Sequence, residues 1–305
     1  MNSIKFNKHY RELVVFCNTH FPKSVAKMRF KRMFGRPLNL RHPEDLNEKI
    51  LWLSLCTDTS EWTRLADKYA VREYIKECGL EECLVPLLGK WDSVDEIQWN
   101  SLPNAFVLKS NNGSGTVMIV RDKDTLSIPE VKNKMDSWLH STSGSTTSEF
   151  HYRRIIPCLV AEELLELTEE DKKYSSSIVD YKMWCFNGKV SYIWTVSNRD
   201  SKGFDGAMFD RDWNYVPDVV KDNPSVKIPK KLLPKPVNYE RMIEVAETLA
   251  KPFPKVRVDL YNINGKVYFG EMTFTTHGGT IDYLTPEQLM KMGKMIDLSK
   301  EKAIR

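Results

Sequence analysis

No apolar run in the chain approaches the roughly 18 to 20 residues that a membrane-crossing helix needs. Met1 to Thr19 lacks the apolar stretch and small-residue cleavage site of a secretory leader, so a cytoplasmic setting is expected. The six cysteines, at 17, 56, 78, 83, 158 and 185, include no CxxC pair. That argues against a zinc site or a disulfide framework and for buried free thiols. The phosphate-loop pattern G-x-x-x-x-G-K-S/T is also missing. A net charge of +4 is too small to imply a nucleic-acid partner. Acids are scarce in one region: residues 1 to 36 hold nine Lys or Arg against the single Glu12. A chain of 305 residues can bury a large core, and two or three subdomains are expected of it.

From Ile4 to Phe34 the pattern is helical and broken at Pro22, with Lys27, Arg29, Lys31 and Arg32 interleaved with Phe30, Met33 and Phe34. Such a basic amphipathic segment suits an anionic membrane surface or an acidic substrate, and it equally suits a solvated face over a packed one. A helix is predicted over Pro43 to Leu53, with Leu46, Ile50 and Leu53 as its core stripe. A second, over Leu65 to Lys76, places Lys68 and Arg72 four apart on one face and closes at Gly79. Cys83 to Leu88 reads as a short strand, and its Pro86 favours a sheet edge.

In Phe106 to Val120 two strands enclose a Ser/Asn/Gly loop, and Lys109 lies near the end of the first. Glycine lets backbone N–H groups approach an anion, so the loop can cover phosphates, although a hairpin loop has similar composition. Ser127 to Leu139 reads as a capped helix, and the polar run from 141 to 148 as a lid or a linker. Pro157 to Leu165 is a buried-type strand running into Glu162 and Glu163. A further hairpin turns at Asn187-Gly188, with Asp180 and Lys182 on one face opposite Thr195 and Ile193. Tyr181, Met183 and Cys185 are expected to pair with Trp194, Tyr192 and Val190 on the core side. Lys221 to Pro236 reads as a surface connection, and helices are predicted from Tyr239 to Ala250 and from Pro286 to the end.

The closing hairpin, from Lys255 to Phe274, carries charge where strands usually do not. A two-residue turn at Asn264-Gly265 would put Asp259 and Glu271 on opposite faces. A three-residue loop, Ile263-Asn264-Gly265, pairs Arg257 with Glu271 and aligns Arg257, Asp259, Glu271 and Thr273. Val256, Val258, Leu260, Tyr268, Met272 and Phe274 then form the other face, and this cleaner split favours the three-residue loop. Two carboxylates beside an arginine suit a divalent metal with phosphate, or a solvated face with a surface ion pair.

A lysine before a glycine loop, a strand ending Glu-Glu, a lysine-bearing hairpin and then Arg-x-Asp and Glu-x-Thr resemble the ATP-grasp fold. The segments Asp67 to Arg72, Asp180 to Phe186 and Tyr268 to Phe274 are similar to its TupA-like family, which serves teichuronopeptide biosynthesis, over about residue 35 to the end. The resemblance implies an α+β fold with two α+β subdomains clamping ATP behind a helical N-terminal extension. The expected divisions are 1 to 60, 61 to 102, 103 to 160 with the glycine loop, and 161 to 305 with the metal-binding hairpin. It implies that Lys109, Asn111, Asn112, Gly113, Ser114 and Gly115 hold the phosphates, and that Glu162, Glu163 and Leu164 form the hinge at adenine and ribose. Asp259 and Glu271 would carry Mg²⁺, with Thr273 where such ligases commonly have Asn. Arg257, Lys182 and Lys68 would contact the transferred phosphoryl group or the substrate carboxylate. His277 is a further candidate for positioning substrate or accepting the amine proton, or a structural turn residue.

The activity so implied is an ATP- and Mg²⁺-dependent carboxylate-amine ligase working through an acyl-phosphate. Its expected partners are an amine and a uronic acid of a bacterial surface polysaccharide, with the basic N-terminus at the membrane or at a lipid-linked glycan. The competing readings are phosphotransfer to a hydroxyl on the same scaffold and a binding module without catalysis.

Overall fold

The structure, a computed structural model, describes residues 8–113, 115–141, 144–147, 149–221 and 226–304. Two helices open it, α1 (Lys8–His20) and α2 (Pro22–Phe34), and the break falls at Pro22 as predicted. Gly35, left-handed at φ 70°, ends α2 by donating to the Lys31 carbonyl. The next helix, α3 (Leu46–Cys56), starts three residues later than predicted, because Asp45 is its N-cap and accepts from the Glu48 N–H at 2.9 Å. The single helix expected over Leu65–Lys76 is two, α4 (Ser60–Ala66) and α5 (Val71–Glu77). Asp67 breaks it: its carboxylate accepts from the N–H groups of Tyr69 at 2.8 Å and Ala70 at 3.1 Å. Lys68 therefore sits in a turn and shares no helical face with Arg72.

Two antiparallel-rich sheets follow. The first contains β1 (Leu87–Trp91), β2 (Phe106–Ser110), β3 (Val117–Val120) and β4 (Leu159–Glu163), in the order β1-β4-β2-β3. The strand expected at 83 to 88 thus begins only at Leu87, at the sheet edge that Pro86 favours, while Cys83 lies in a 3₁₀ turn. Helix α6 (Ile128–Leu139) covers this sheet with Val131, Met135 and Trp138 against Phe106 and Leu108. The short α7 (Phe150–Arg153) leads back into β4.

The second sheet has the order β10-β9-β5-β6-β7-β8, from β5 (Asp180–Phe186), β6 (Lys189–Asp200), β7 (Gly203–Asp210), β8 (Val226–Lys227), β9 (Lys255–Ile263) and β10 (Lys266–Thr273). Strand β7 was not anticipated from the sequence. Helix α8 (Tyr239–Ala250) packs Met242, Val245 and Ala246 on one face with Met183, Cys185, Val256 and Val258. On the other face Leu46 and Ile50 of α3 meet Leu289 and Met292 of α9 (Pro286–Lys294) around Trp184 and Trp194. Thr285 caps α9 through the Gln288 N–H at 3.3 Å, and the helix stops at Lys294 short of the chain end.

Asn187 and Gly188, both at positive φ, make the predicted two-residue turn, but a bulge at Ser191 shifts the pairing beyond it. Met183 faces Ile193, Tyr181 faces Thr195 and Lys182 faces Trp194. Tyr192 and Trp194 consequently pack on the opposite face from Tyr181, Met183 and Cys185. The six cysteines are free thiols.

Candidate active site

The hairpin β9–β10 settles the register differently from either expectation. Lys266 pairs with Ile263, so the loop is the two-residue turn Asn264-Gly265, with φ of 47° and 83°. The three-residue loop is not formed. The odd residue is Gly270, which bulges between the Phe269–Leu260 and Glu271–Asp259 pairs. Beyond it Asp259 lies opposite Glu271 and Arg257 opposite Thr273, so all four polar residues share a face. The core side before the bulge is Val267 and Phe269; Tyr268 stands opposite Tyr261, away from the core. At Gly270 a Cβ would lie 3.0 Å from the Asp259 carbonyl, which explains the glycine.

Arg257 organises this face. Its Nε donates to Asp259 Oδ1 at 2.6 Å and its Nη2 to Asp259 Oδ2 at 2.7 Å, Thr273 Oγ1 at 3.1 Å and Glu271 Oε1 at 3.2 Å. Lys182 reaches Asp259 at 2.5 Å and Asp180 at 2.6 Å. Burial alone would raise Asp259, but the Arg257 and Lys182 cations overcome it and hold the carboxyl below the usual carboxylate range. Asp180 moves the other way, pushed up by burial, and its Oδ1 is buried without a hydrogen-bond partner. Glu271, with 40% of its side chain exposed, is the open carboxylate of the set.

Two further lysines lie on the first sheet and in the turn between α4 and α5. Lys109, on β2, pairs with Glu162 Oε2 on β4 at 2.5 Å, and Arg72 approaches the same carboxylate at 3.4 Å. Lys68 Nζ donates to the Gly113 carbonyl at 2.7 Å, bracing the glycine loop. Burial lowers the Lys68 pKa while Glu271 pulls it back up, which places Lys68 within electrostatic reach of the second sheet. The buried Asn111 side chain is engaged inside the protein: it donates to Asp67 at 2.9 Å and accepts from the Cys158 N–H at 2.8 Å. It is a brace for the loop. Asn112 is also buried, and its Oδ1 has no partner. Gly115 is left-handed at φ 79°, and Ser114 lies outside the described residues.

Of the expected hinge, Glu162 is buried and paired, Glu163 is exposed with its N–H bound to the Pro86 carbonyl at 3.0 Å, and Leu164 follows β4 half-buried. Part of the 141–148 run lies outside the described residues. Just beyond it, Glu149 accepts from Thr147 and from Thr275, each at 2.8 Å, tying this segment to the turn after β10. His277, in that turn, is left-handed at φ 50° and packs on Tyr283 at 5.0 Å. Its Nδ1 is 3.9 Å from Asp282.

Three contributors had weak sequence signals. Asp180 shares a face with Lys182 by alternation, so parity could have singled it out. Arg72 meets Glu162 across ninety positions, and the half-buried Tyr152 lies within electrostatic reach of Glu271 and Arg257; no local pattern foretells either. The carboxylate and hydroxyl set of Asp259, Glu271 and Thr273 is all oxygen, which suits a hard cation such as Mg²⁺ that retains outside ligands. Among the described residues no group of three or more His, Cys, Asp or Glu is arranged to hold a metal unaided.

A family model described as TupA-like ATPgrasp matches residues 48–296. The chain belongs to the TupA-like ATP-grasp family. Both sheets and the charged face between Lys68 and Arg257 fall inside that span, whereas α1 and α2 of this TupA-like chain precede it. No curated protein matches the sequence. Among solved structures the chain is similar to D-alanine–D-alanine ligase from Bacillus anthracis, at 17% identity and a TM-score of 0.46, over 79% of this chain and 68% of that one. It is also similar to L-amino acid ligase from Bacillus licheniformis, at 12% identity and a TM-score of 0.41, over 72% and 43%.

Proposed function

We propose that this TupA-like ATP-grasp chain is an ATP- and Mg²⁺-dependent ligase that joins a carboxylate to an amine through an acyl-phosphate. The observation that carries the reading is the alignment of Arg257, Asp259, Glu271 and Thr273 on one face, beside Lys182 and within electrostatic reach of Lys68. A carboxylate attacking ATP meets an already anionic γ-phosphate, so cations must neutralise charge while both reactants are held in line. Lys109, Lys68 and the backbone of the Asn111–Gly115 loop take the role of phosphate holders. Glu162, Glu163 and Leu164 take the adenine and ribose end.

Asp259 and Glu271, with Thr273 as a shorter-reaching third donor, would hold Mg²⁺, which when bound neutralises phosphate charge. Arg257 and Lys182 orient Asp259, and Arg257 contacts the transferred phosphoryl group or the acyl-phosphate. The amine then attacks the acyl carbon, phosphate leaves and an amide remains. Water has to be kept from the intermediate, a role suited to the segment that Glu149 ties to Thr275. The carboxylate we favour is a uronic acid of a bacterial surface polysaccharide or its precursor, and the amine an amino acid or related compound.

Thermal-shift measurements test the nucleotide site itself. Mg-ATP is expected to stabilise the wild type, and Glu271→Gln to lose the Mg²⁺-dependent part of that shift. An unchanged shift in the variant would remove Glu271 from the metal set, and no shift in the wild type would favour a module without catalysis.

A further inference from the structure

Large apolar side chains are seldom left in water in clusters, and here they are clustered. Of the fourteen that stand exposed among the described residues, five fall within residues 13 to 33: Leu13, Phe16, Phe21, Met28 and Met33, from 42% to 67% exposed. Leu13, Phe16 and His20 share one face of α1 at helical spacing. The Phe16 and His20 rings are 4.4 Å apart and those of His20 and Phe21 are 6.5 Å apart, which carries the apolar line across the junction into α2. Met28 continues it seven positions beyond Phe21.

Positive charge flanks this line. On α2, Lys27 and Lys31 lie to one side of Met28 and Arg32 to the other, all exposed and without an ion pair among the described residues. The opposite side of the helix holds Ala26 and Phe30 in the core against Leu51, Leu55 and Cys56. Both helices have thirteen residues, and no described helix is long and apolar enough to cross a membrane.

We propose that the α1–α2 hairpin docks this protein, lying flat, on an anionic phospholipid bilayer. Phe16, Phe21 and Met28 enter the acyl boundary while Lys27, Lys31 and Arg32 meet the head groups. A second copy of the chain fits this face poorly, since like charges would oppose one another. Helix α2 also connects this face to the site. Arg29, half-buried and without hydrogen bond or ion pair among the described residues, has its Nη1 3.7 Å from where a Cβ on Gly278 would lie, in the turn after β10. The turn after β10 thus lies against the flank of α2, between its exposed Met28 and its buried Phe30. This inference stands apart from the ligase reading, because it rests on α1 and α2 alone.

The test is cosedimentation of the full chain with vesicles of phosphatidylcholine, alone or with about a third phosphatidylglycerol. Binding is expected only with the anionic lipid, and weaker as salt rises. Phe16→Ser with Phe21→Ser and Met28→Ser should abolish it. Lys27→Gln with Lys31→Gln and Arg32→Gln should lower partitioning roughly a hundred-fold, at roughly five-fold per charge. Circular dichroism melts should leave both variants as stable as the wild type, since these side chains are exposed. Binding that ignores lipid charge, or survives both sets of substitutions, overturns the proposal. So does a serine variant that changes only the sedimentation of the protein itself, which would make the patch an interface between copies. Capture by acidic polysaccharide without vesicle binding likewise overturns it.

Discussion

Arg257 and Asp259, two residues apart on β9, hold each other through two hydrogen bonds of 2.6 and 2.7 Å in a buried setting. The fork-to-carboxylate geometry fixes both side chains, so the arginine that would meet phosphate and the carboxylate that would meet metal are positioned together. Removing one partner strands a buried charge. Asp259→Asn is expected to cost roughly 3 kcal/mol in urea denaturation, because Arg257 and Lys182 both lose the carboxylate they share and keep only Glu271 at 3.2 Å and Asp180 at 2.6 Å. A loss below about 1 kcal/mol would mean that the pair is solvated and held by little, as surface pairs are.

The bulge is the second point of leverage. Gly270→Val introduces a branched side chain where a Cβ alone lies 3.0 Å from the Asp259 carbonyl. The hairpin then has either to shift that backbone or to lose the bulge, and losing it turns Glu271 to the face away from Asp259. The variant is expected to melt several degrees lower and to lose Mg-ATP stabilisation altogether, whereas Gly265→Asn, whose Cβ would meet Val237 Cγ1 at 3.0 Å in the left-handed turn, should lower the melting temperature but keep the Mg-ATP shift, since the bulge is left intact.

Acid sensitivity has an assignable source in His151. It is fully buried beside Trp62 and Phe274, neither ring nitrogen has a partner, and burial pushes its pKa down to about 3. In the unfolded chain the ring titrates near an ordinary value of about 6.5. The unfolded state thus binds the extra proton between those two values, so stability is lost as pH falls from about 6.5 towards about 3. His151→Phe should flatten that slope and gain on the order of a few kcal/mol at pH 4 relative to the wild type, read from denaturation curves across pH. An unaltered slope would place the acid sensitivity elsewhere.

Lys109 is paired with Glu162 in the structure, so its amine is already held against β4. Lys109→Gln is expected to raise the KM for ATP at least ten-fold with a small effect on stability, measured by initial rates over nucleotide concentration. An unchanged KM with a lowered melting temperature would make the pair a structural brace only.

The sequence made legible those features that depend on local pattern. The break at Pro22, helix α8 to its last residue, the Thr285 cap and the hairpin around the glycine loop all follow from punctuation and periodicity. The shared face of Arg257, Asp259, Glu271 and Thr273 was anticipated, but for the wrong reason. A glycine within a strand is a bulge signal, and Gly270 supplied the odd residue that the loop was expected to provide. Ser191 did the same in the β5–β6 pairing with no glycine to mark it, so nothing local gave that shift away. The broken helix at Asp67 was lost to apolar periodicity, which ran unbroken across a side chain that caps its own backbone. Contacts such as Arg72 with Glu162 and Glu149 with Thr275 belong to tertiary structure, and their residues carry no local mark.

Product analysis tests the proposed reaction most directly. Purified protein with Mg-ATP is offered uronic acids crossed with amino acids, and ADP and free phosphate are measured together. Equimolar ADP and phosphate are expected only when carboxylate and amine are both present, with the amide as product and Glu271→Gln reduced roughly a hundred-fold or more. A phosphorylated sugar formed without free phosphate or any need for an amine would contradict it.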